Sequence, residues 1–124
     1  MMRERLLIVD DEKDMLQGLG RILAQEFPDL EIVTTTSAGE ALALVRKEPF
    51  DLALLDVRMP EMNGLELLKE MREQDQWLTV IMMTAYGSIE LAVEAVKASA
   101  YDFITKPFDK ENLLRVIRKS RERN

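Results

Sequence analysis

The stretch FDLALLDVRMPEMNG, residues 50–64, decides the fold. It is apolar over residues 52–55, stops at Asp56 and leaves through a segment rich in proline, asparagine and glycine. A short apolar run bounded by turn signals is typical of a buried strand in a parallel sheet. Asp56 is then expected at the carboxyl end of a core strand, where open α/β sheets bind their ligands. Taken alone, Asp56 could be only the polar residue that ends the strand.

Strand and helix patterns alternate five times along the chain. Apolar runs predict strands at residues 6–9, 31–35, 52–55, 79–83 and 102–105. Apolar residues at three- and four-residue spacing predict helices around residues 15–27, 41–45, 65–71, 89–96 and 113–117. Ser37 with Glu40 has the pattern of a capping box, and Ser88 and Asp109 are typical N-caps.

Five βα units in 124 residues predict one α/β domain with right-handed crossovers. We expect a flavodoxin-like, doubly wound, five-stranded parallel sheet of order 2-1-3-4-5 with five helices. The second strand is less apolar than the others, which favours an edge position. In this order Asp10 and Asp11, after the first strand, share a crevice with Asp56.

Composition limits the chemistry. Hydrophobic residues make up 47% and charged residues 32%, as in globular proteins. The chain has no cysteine and no histidine, which excludes thiol catalysis and the commonest zinc ligands. A net charge of -6 argues against direct contact with nucleic acid. No apolar run reaches membrane-spanning length and no signal-peptide pattern begins the chain, so we expect a cytoplasmic protein without a membrane contact.

Three carboxylates in one crevice predict a divalent metal. Like charges repel unless a cation neutralises them, and Mg²⁺ prefers all-oxygen sites in which it also contacts phosphate. The Asp10-Asp11 pair has an alternative explanation as a solvated loop that caps the first helix.

Two further strand ends add groups suited to phosphate. Thr84 offers a hydroxyl donor and Lys106 offers a cation. Either residue alone could be a turn residue or a surface lysine. The bond between Lys106 and Pro107 is a candidate for the cis form.

The five strand-end residues resemble the receiver domain of bacterial response regulators. The matching motifs are Asp10-Asp11, DVRMPEMNG from Asp56, Thr84-Ala85 and Lys106-Pro107-Phe108. The resemblance implies that Asp56 accepts a phosphoryl group from a sensor histidine kinase. It implies Mg²⁺ (or Mn²⁺) bound by Asp11, Asp56 and the backbone carbonyl of Arg58, with Asp10 acting through water. Thr84 and Lys106 would contact the phosphoryl oxygens.

The resemblance also implies a conformational switch. Phe103 lies three residues before the lysine, where the family has an aromatic that swings inward as Thr84 moves, and Tyr101 is the alternative. Arg58 and Tyr86 would flank the phosphoryl group and restrict attacking water, beside Pro107.

The resemblance extends to partners. The AYDFITKPF stretch is similar to receivers of nitrogen-regulator-type transcription activators. This implies a homodimer through the face formed by the fourth helix, fifth strand and fifth helix. We expect residues 1–124 to be a single receiver domain and residues 119–124 to begin a linker to a DNA-binding output domain.

Other classes fit less well. A phosphatase of the haloacid dehalogenase type needs a second aspartate two residues after the nucleophile, where this chain has Arg58. We therefore expect no enzyme beyond catalysis of its own phosphorylation and dephosphorylation. A nucleotide- or flavin-binding module would need a glycine-rich loop after the first strand, and DDEKDM stands there. A receiver-like interaction module that is not phosphorylated remains the alternative.

Overall fold

The computed structural model describes residues 3–59, 62–85 and 100–123, together with residues 90, 93, 94 and 97. Its five strands are β1 (Arg5–Val9), β2 (Glu31–Thr35), β3 (Leu52–Asp56), β4 (Thr79–Ala85) and β5 (Asp102–Lys106). Four helices lie within these ranges: α1 (Lys13–Glu26), α2 (Ala38–Lys47), α3 (Gly64–Gln74) and α4 (Lys110–Arg123). No helix in the described ranges has the length and apolar character needed to cross a membrane.

The strands form one parallel sheet in the order β2-β1-β3-β4-β5. The predicted flavodoxin-like topology is confirmed, and β2 occupies an edge as its weaker apolar pattern indicated. Of the five predicted helices, four are present in full in the described part of the chain. The remaining predicted helix, around residues 89–96 with Ser88 as its cap, lies mostly outside the described residues, although residues 90, 93, 94 and 97 are helical.

Two apolar layers cover the two faces of the sheet. Because successive strand side chains point to opposite faces, Leu7 and Leu55 join the layer under α2 and α3. Ile8 and Leu54 join the opposite layer, under α1 and α4. Strands buried on both faces explain the continuous apolar runs of the sequence.

The predicted caps are confirmed in part. The Ser37 Oγ accepts a hydrogen bond from the Glu40 N–H at 3.1 Å, and the Asp109 Oδ1 accepts from the Glu111 N–H at 3.3 Å. The capping box at Ser37 is not reciprocal, however. The Ser37 N–H donates to the Thr35 Oγ1 at 3.1 Å, because the end of β2 brings that hydroxyl close.

The carboxyl end of α4 is fixed to the rest of the domain. Residues 119–123, where we expected a linker to begin, belong to this helix. The Arg121 guanidinium pairs with Glu4 at 2.7 Å and with Asp29 at 2.6 Å. Any segment that follows would therefore continue from an anchored helix.

Arg5 joins three segments at the amino end of the sheet. Its guanidinium pairs with Glu31 at 2.9 Å and with Glu48 at 2.8 Å. It also donates to the Pro49 carbonyl at 3.2 Å and lies 4.3 Å from the centroid of the Phe50 ring.

We expect Arg5→Ala to lower the free energy of unfolding by about 2 kcal/mol, since these charged hydrogen bonds and the ring contact are lost together. The Arg5 side chain is only 12% exposed, whereas Arg118 is 53% exposed in its pair with Glu26. Arg118→Ala should cost less than about 0.5 kcal/mol. Urea denaturation measures both variants, and equal losses would contradict this assignment.

Candidate functional site

Four strands deliver polar side chains to one edge of the sheet. Asp10 follows β1, Asp56 ends β3, Thr84 is the second-last residue of β4 and Lys106 ends β5. Parallel strands direct their carboxyl ends to the same edge, so these residues come together although 96 positions separate Asp10 from Lys106. The convergence predicted from the sheet order is confirmed.

Lys106 is the centre of the cluster. Its Nζ donates to the Asp10 Oδ2 at 2.7 Å and to the Asp56 Oδ2 at 3.1 Å. Both aspartates are buried, and the lysine side chain is only 12% exposed. Lys106 is therefore not the surface lysine that its sequence position alone would allow.

Backbone donors hold the second oxygen of each buried carboxylate. The Arg58 N–H donates to the Asp56 Oδ1 at 3.1 Å, and the Glu12 N–H donates to the Asp10 Oδ1 at 2.9 Å. Glu12 is the N-cap of α1 and makes no side-chain cap bond. Neither Asp10 nor Asp11 is therefore the N-cap residue of the first helix, and Asp10 is buried rather than part of a solvated loop.

Burial shapes the acid-base properties of the site. Desolvation, with the nearby charge of Asp10, raises the pKa of Asp56. Together they outweigh the hydrogen bonds from Arg58 and Lys106 and the charge of Lys106, which lower the pKa. Burial alone would lower the pKa of Lys106, but its hydrogen bond to Asp10 and the charge of Asp56 raise the pKa overall. The lysine is accordingly a permanent cation beside two carboxylates at neutral pH.

The same crevice fits a divalent metal. One carboxylate oxygen from each of Asp10, Asp11 and Asp56 lies within 4.8 Å of the others. Asp11 is exposed, which leaves the crevice open to solvent on one side. An all-oxygen, carboxylate-rich donor set with access to water suits Mg²⁺ or Mn²⁺.

Mg²⁺ affinity should fall as the pH decreases from neutrality, and it should begin to fall above the ordinary aspartate pKa. A metal in this crevice would bind ionised carboxylates, so protons would compete with it, and burial raises the pKa of Asp56. Calorimetric titrations with Mg²⁺ at several pH values measure this affinity. Asp56→Asn is the control, because without the Asp56 carboxylate its affinity should not begin to fall above the ordinary aspartate pKa. A loss that starts only at the ordinary aspartate pKa would contradict the prediction.

Thr84 is a fully buried strand residue and not a turn residue. It lies opposite Thr105, next to the pair formed by Ala85 and Lys106. The β4 strand continues to Ala85, two residues beyond the predicted end. The Thr84 hydroxyl is thus carried by a rigid element beside the strand end of Lys106.

The two aromatic residues predicted to act in a switch with Thr84 lie on β5 or just before it. Phe103 is half-buried and packs against the apolar layer under α2 and α3. Tyr101 is half-buried, and its N–H donates to the Val80 carbonyl at 2.7 Å. The bond between Lys106 and Pro107 is cis, as predicted. Arg58 is exposed, and Tyr86 lies outside the described residues.

Asn63 and Gly64, which we expected to belong to the loop after the strand, begin a helix. The Asn63 Oδ1 accepts from the Glu66 N–H at 2.9 Å, and Gly64 is the first residue of α3. Asparagine followed three residues later by glutamate is a capping signal, and it marks this helix start in the sequence.

The chain matches known proteins over nearly its whole length. Residues 6–118 match the profile of the response regulator receiver domain. The chain is 39% identical over 117 residues to the response regulator protein PilR of Pseudomonas aeruginosa, covering 94% of this chain and 26% of PilR. It is 39% identical over 116 residues to the regulatory protein AtoC of Escherichia coli, covering 94% and 25%. The chain thus spans about a quarter of these relatives.

Solved structures agree with the sequence comparisons. The receiver domain of NtrX from Brucella abortus superimposes with a TM-score of 0.90 at 36% identity, covering 96% of this chain and 99% of that one. A response regulator receiver domain from Clostridium thermocellum also gives 0.90, at 26% identity, covering 97% and 95%. The family's general role is to be phosphorylated on an aspartate by a kinase. Fold, site geometry and sequence together place this chain in the family of response regulator receiver domains, among relatives of the transcription activators.

Proposed function

We propose that Asp56 is the phosphoacceptor of this receiver and that a sensor histidine kinase is its phosphoryl donor. The observation that carries the proposal is the position of the Lys106 Nζ, 3.1 Å from Asp56 and 2.7 Å from Asp10. A buried nucleophilic carboxylate beside a fixed cation and two further carboxylates has the parts that aspartyl phosphorylation requires.

In the transfer, an Asp56 carboxylate oxygen attacks phosphorus and forms an acyl phosphate. The bond from phosphorus to the donor's histidine nitrogen breaks, and that nitrogen keeps the electron pair. The chain contains no histidine, so the donor must be another protein or a small acyl phosphate. The receiver catalyses this step, and the later hydrolysis, only on itself.

The chain's own groups orient the acceptor and stabilise the transferred charge. The Arg58 N–H fixes one Asp56 oxygen, and Lys106 pairs with the phosphoryl oxygens once they arrive. Thr84 supplies a hydroxyl donor from the neighbouring strand. Asp10, Asp11, Asp56 and the Arg58 carbonyl would bind Mg²⁺ or Mn²⁺, which when bound neutralises negative charge on the phosphoryl group.

Phosphorylation would then shift a conformational equilibrium. Contacts of Thr84 and Lys106 with the phosphoryl group favour one state, and Phe103, with Tyr101 as the alternative, reports it to the surface. Arg58 and Tyr86 would limit access of water to the acyl phosphate, next to Pro107.

The signalling surface would consist of the predicted helix around residues 89–96, β5 and α4. We propose that receivers pair through this face in the cytoplasm and control an output domain, attached beyond residues 119–124, that binds DNA and regulates transcription. The length of the relatives supports a further domain, since this chain covers 26% of PilR.

Incubation with acetyl phosphate and Mg²⁺ tests the proposal without any kinase. Intact mass spectrometry should detect one added phosphoryl group, and chelation of the metal should remove it. Asp14→Asn, which changes an exposed acid on α1, is the matched control for Asp56→Asn and should take up the phosphoryl group like the native chain. If neither acetyl phosphate nor a phosphorylated histidine kinase labels the chain, it is an interaction module and the proposal fails.

A further inference from the structure

Gly64 is pressed against the backbone of the proposed acceptor residue. A Cβ atom added at Gly64 would overlap the Asp56 carbonyl oxygen and would lie 2.7 Å from the Val57 Cα. Carbon atoms that are not bonded pack at about 3.5–4.0 Å, so this position has no room for a side chain. The obstructing atoms belong to the backbone and cannot rotate away.

Both partners in this contact are held in place. The Gly64 N–H donates to the Val57 carbonyl at 2.7 Å, while the Val57 N–H donates to the Met83 carbonyl of β4 at 2.8 Å. Beyond Gly64, α3 is anchored by the buried side chains of Leu67, Leu68 and Met71. A side chain at position 64 would therefore displace the short backbone segment that follows β3.

That segment carries the site. The Arg58 N–H that binds the Asp56 Oδ1 lies two residues after the acceptor, and the Asp56 Oδ2 meets Lys106. A backbone shift at residues 56–58 would move the carboxylate relative to Asp10, which follows β1, and relative to Lys106, which ends β5.

We infer that Gly64 is a positioning residue for the acceptor site. Its missing side chain lets the first turn of α3 pack on the Asp56 backbone and hold the carboxylate in register with its metal-binding and cationic partners. This inference rests on the proposed function of Asp56.

The test compares Gly64→Ala with Gly18→Ala. Gly18 lies within α1, and a Cβ there would meet nothing within 4 Å, so the second variant should raise stability by helix propensity alone. For Gly64→Ala, Mg²⁺ affinity measured by calorimetry should fall about tenfold, as when other groups that orient metal ligands are changed. The labelling rate at saturating Mg²⁺ should also fall, whereas Gly18→Ala should change neither quantity.

A purely structural role makes a different prediction. Asn63→Ala removes the cap of α3 without adding an atom next to Asp56, so it should lower stability and leave Mg²⁺ affinity unchanged. If Gly64→Ala alone is too unstable to measure, the Mg²⁺ titration is made on the double variant that also carries the stabilising Gly18→Ala change. Native-like Mg²⁺ affinity and labelling rate in Gly64→Ala would overturn the inference. Failure of the native chain to bind Mg²⁺ and accept phosphate would instead refute the proposed function.

Discussion

Replacing Asp56 by asparagine is expected to abolish phosphoryl uptake. The asparagine side chain has nearly the same shape, and its carbonyl oxygen can still accept the hydrogen bond from the Arg58 N–H. It has no carboxylate to attack phosphorus, so the acyl phosphate cannot form. The initial rate of labelling by acetyl phosphate, followed by intact mass, should fall to that of the metal-free control.

The same substitution should leave the fold intact. It removes one of two adjacent buried carboxylates, so it also relieves repulsion with Asp10. Thermal unfolding of Asp56→Asn should therefore occur at a temperature no lower than that of the native chain without metal. Continued uptake of a phosphoryl group by the folded variant would mean that another residue is the acceptor.

Lys106→Met should have two large effects. Methionine keeps most of the length of the side chain and removes its charge, so the transferred phosphoryl group loses a fixed cation. The labelling rate should fall about 100-fold, the usual cost of losing one donor that stabilises developing charge. In the metal-free protein, the free energy of unfolding should fall by about 3 kcal/mol, because Asp10 and Asp56 stay buried without this partner.

Added Mg²⁺ separates these two effects. The metal replaces the missing positive charge beside the carboxylates, so it should restore much of the stability of Lys106→Met without restoring the labelling rate. Lys119→Met, on the exposed side of α4, is the control and should match the native chain. Native labelling by Lys106→Met would show that the lysine only balances charge.

Strand ends could be predicted because apolar patterns fix where buried strands stop. Once the sheet order follows from five βα units, Asp10, Asp56 and Lys106 must meet at one edge. The convergence of these strand ends is therefore encoded in local patterns and chain connectivity. The direct pairing of Lys106 with both aspartates was not among the predictions and is seen only in the folded chain.

Other contacts of the folded chain have no such local pattern. The approach of Gly64 to Asp56 depends on how α3 enters the sheet, and glycine after asparagine is equally typical of a turn. The hydrogen bond from Ser37 to Thr35 depends on where β2 ends. The partners of Arg5 come from β2 and from the segment before β3, and only the folded chain brings them together.

The most direct test of the central claim locates the phosphoryl group chemically. The chain is incubated with acetyl phosphate and Mg²⁺, and borohydride then reduces the acyl phosphate so that the acceptor aspartate becomes homoserine. Peptide mass spectrometry should find homoserine at position 56 and at no other acidic residue, and its yield should depend on Mg²⁺. Homoserine at Asp10 or Asp11, or none in a chain that has gained a phosphoryl group, would contradict the assignment of Asp56.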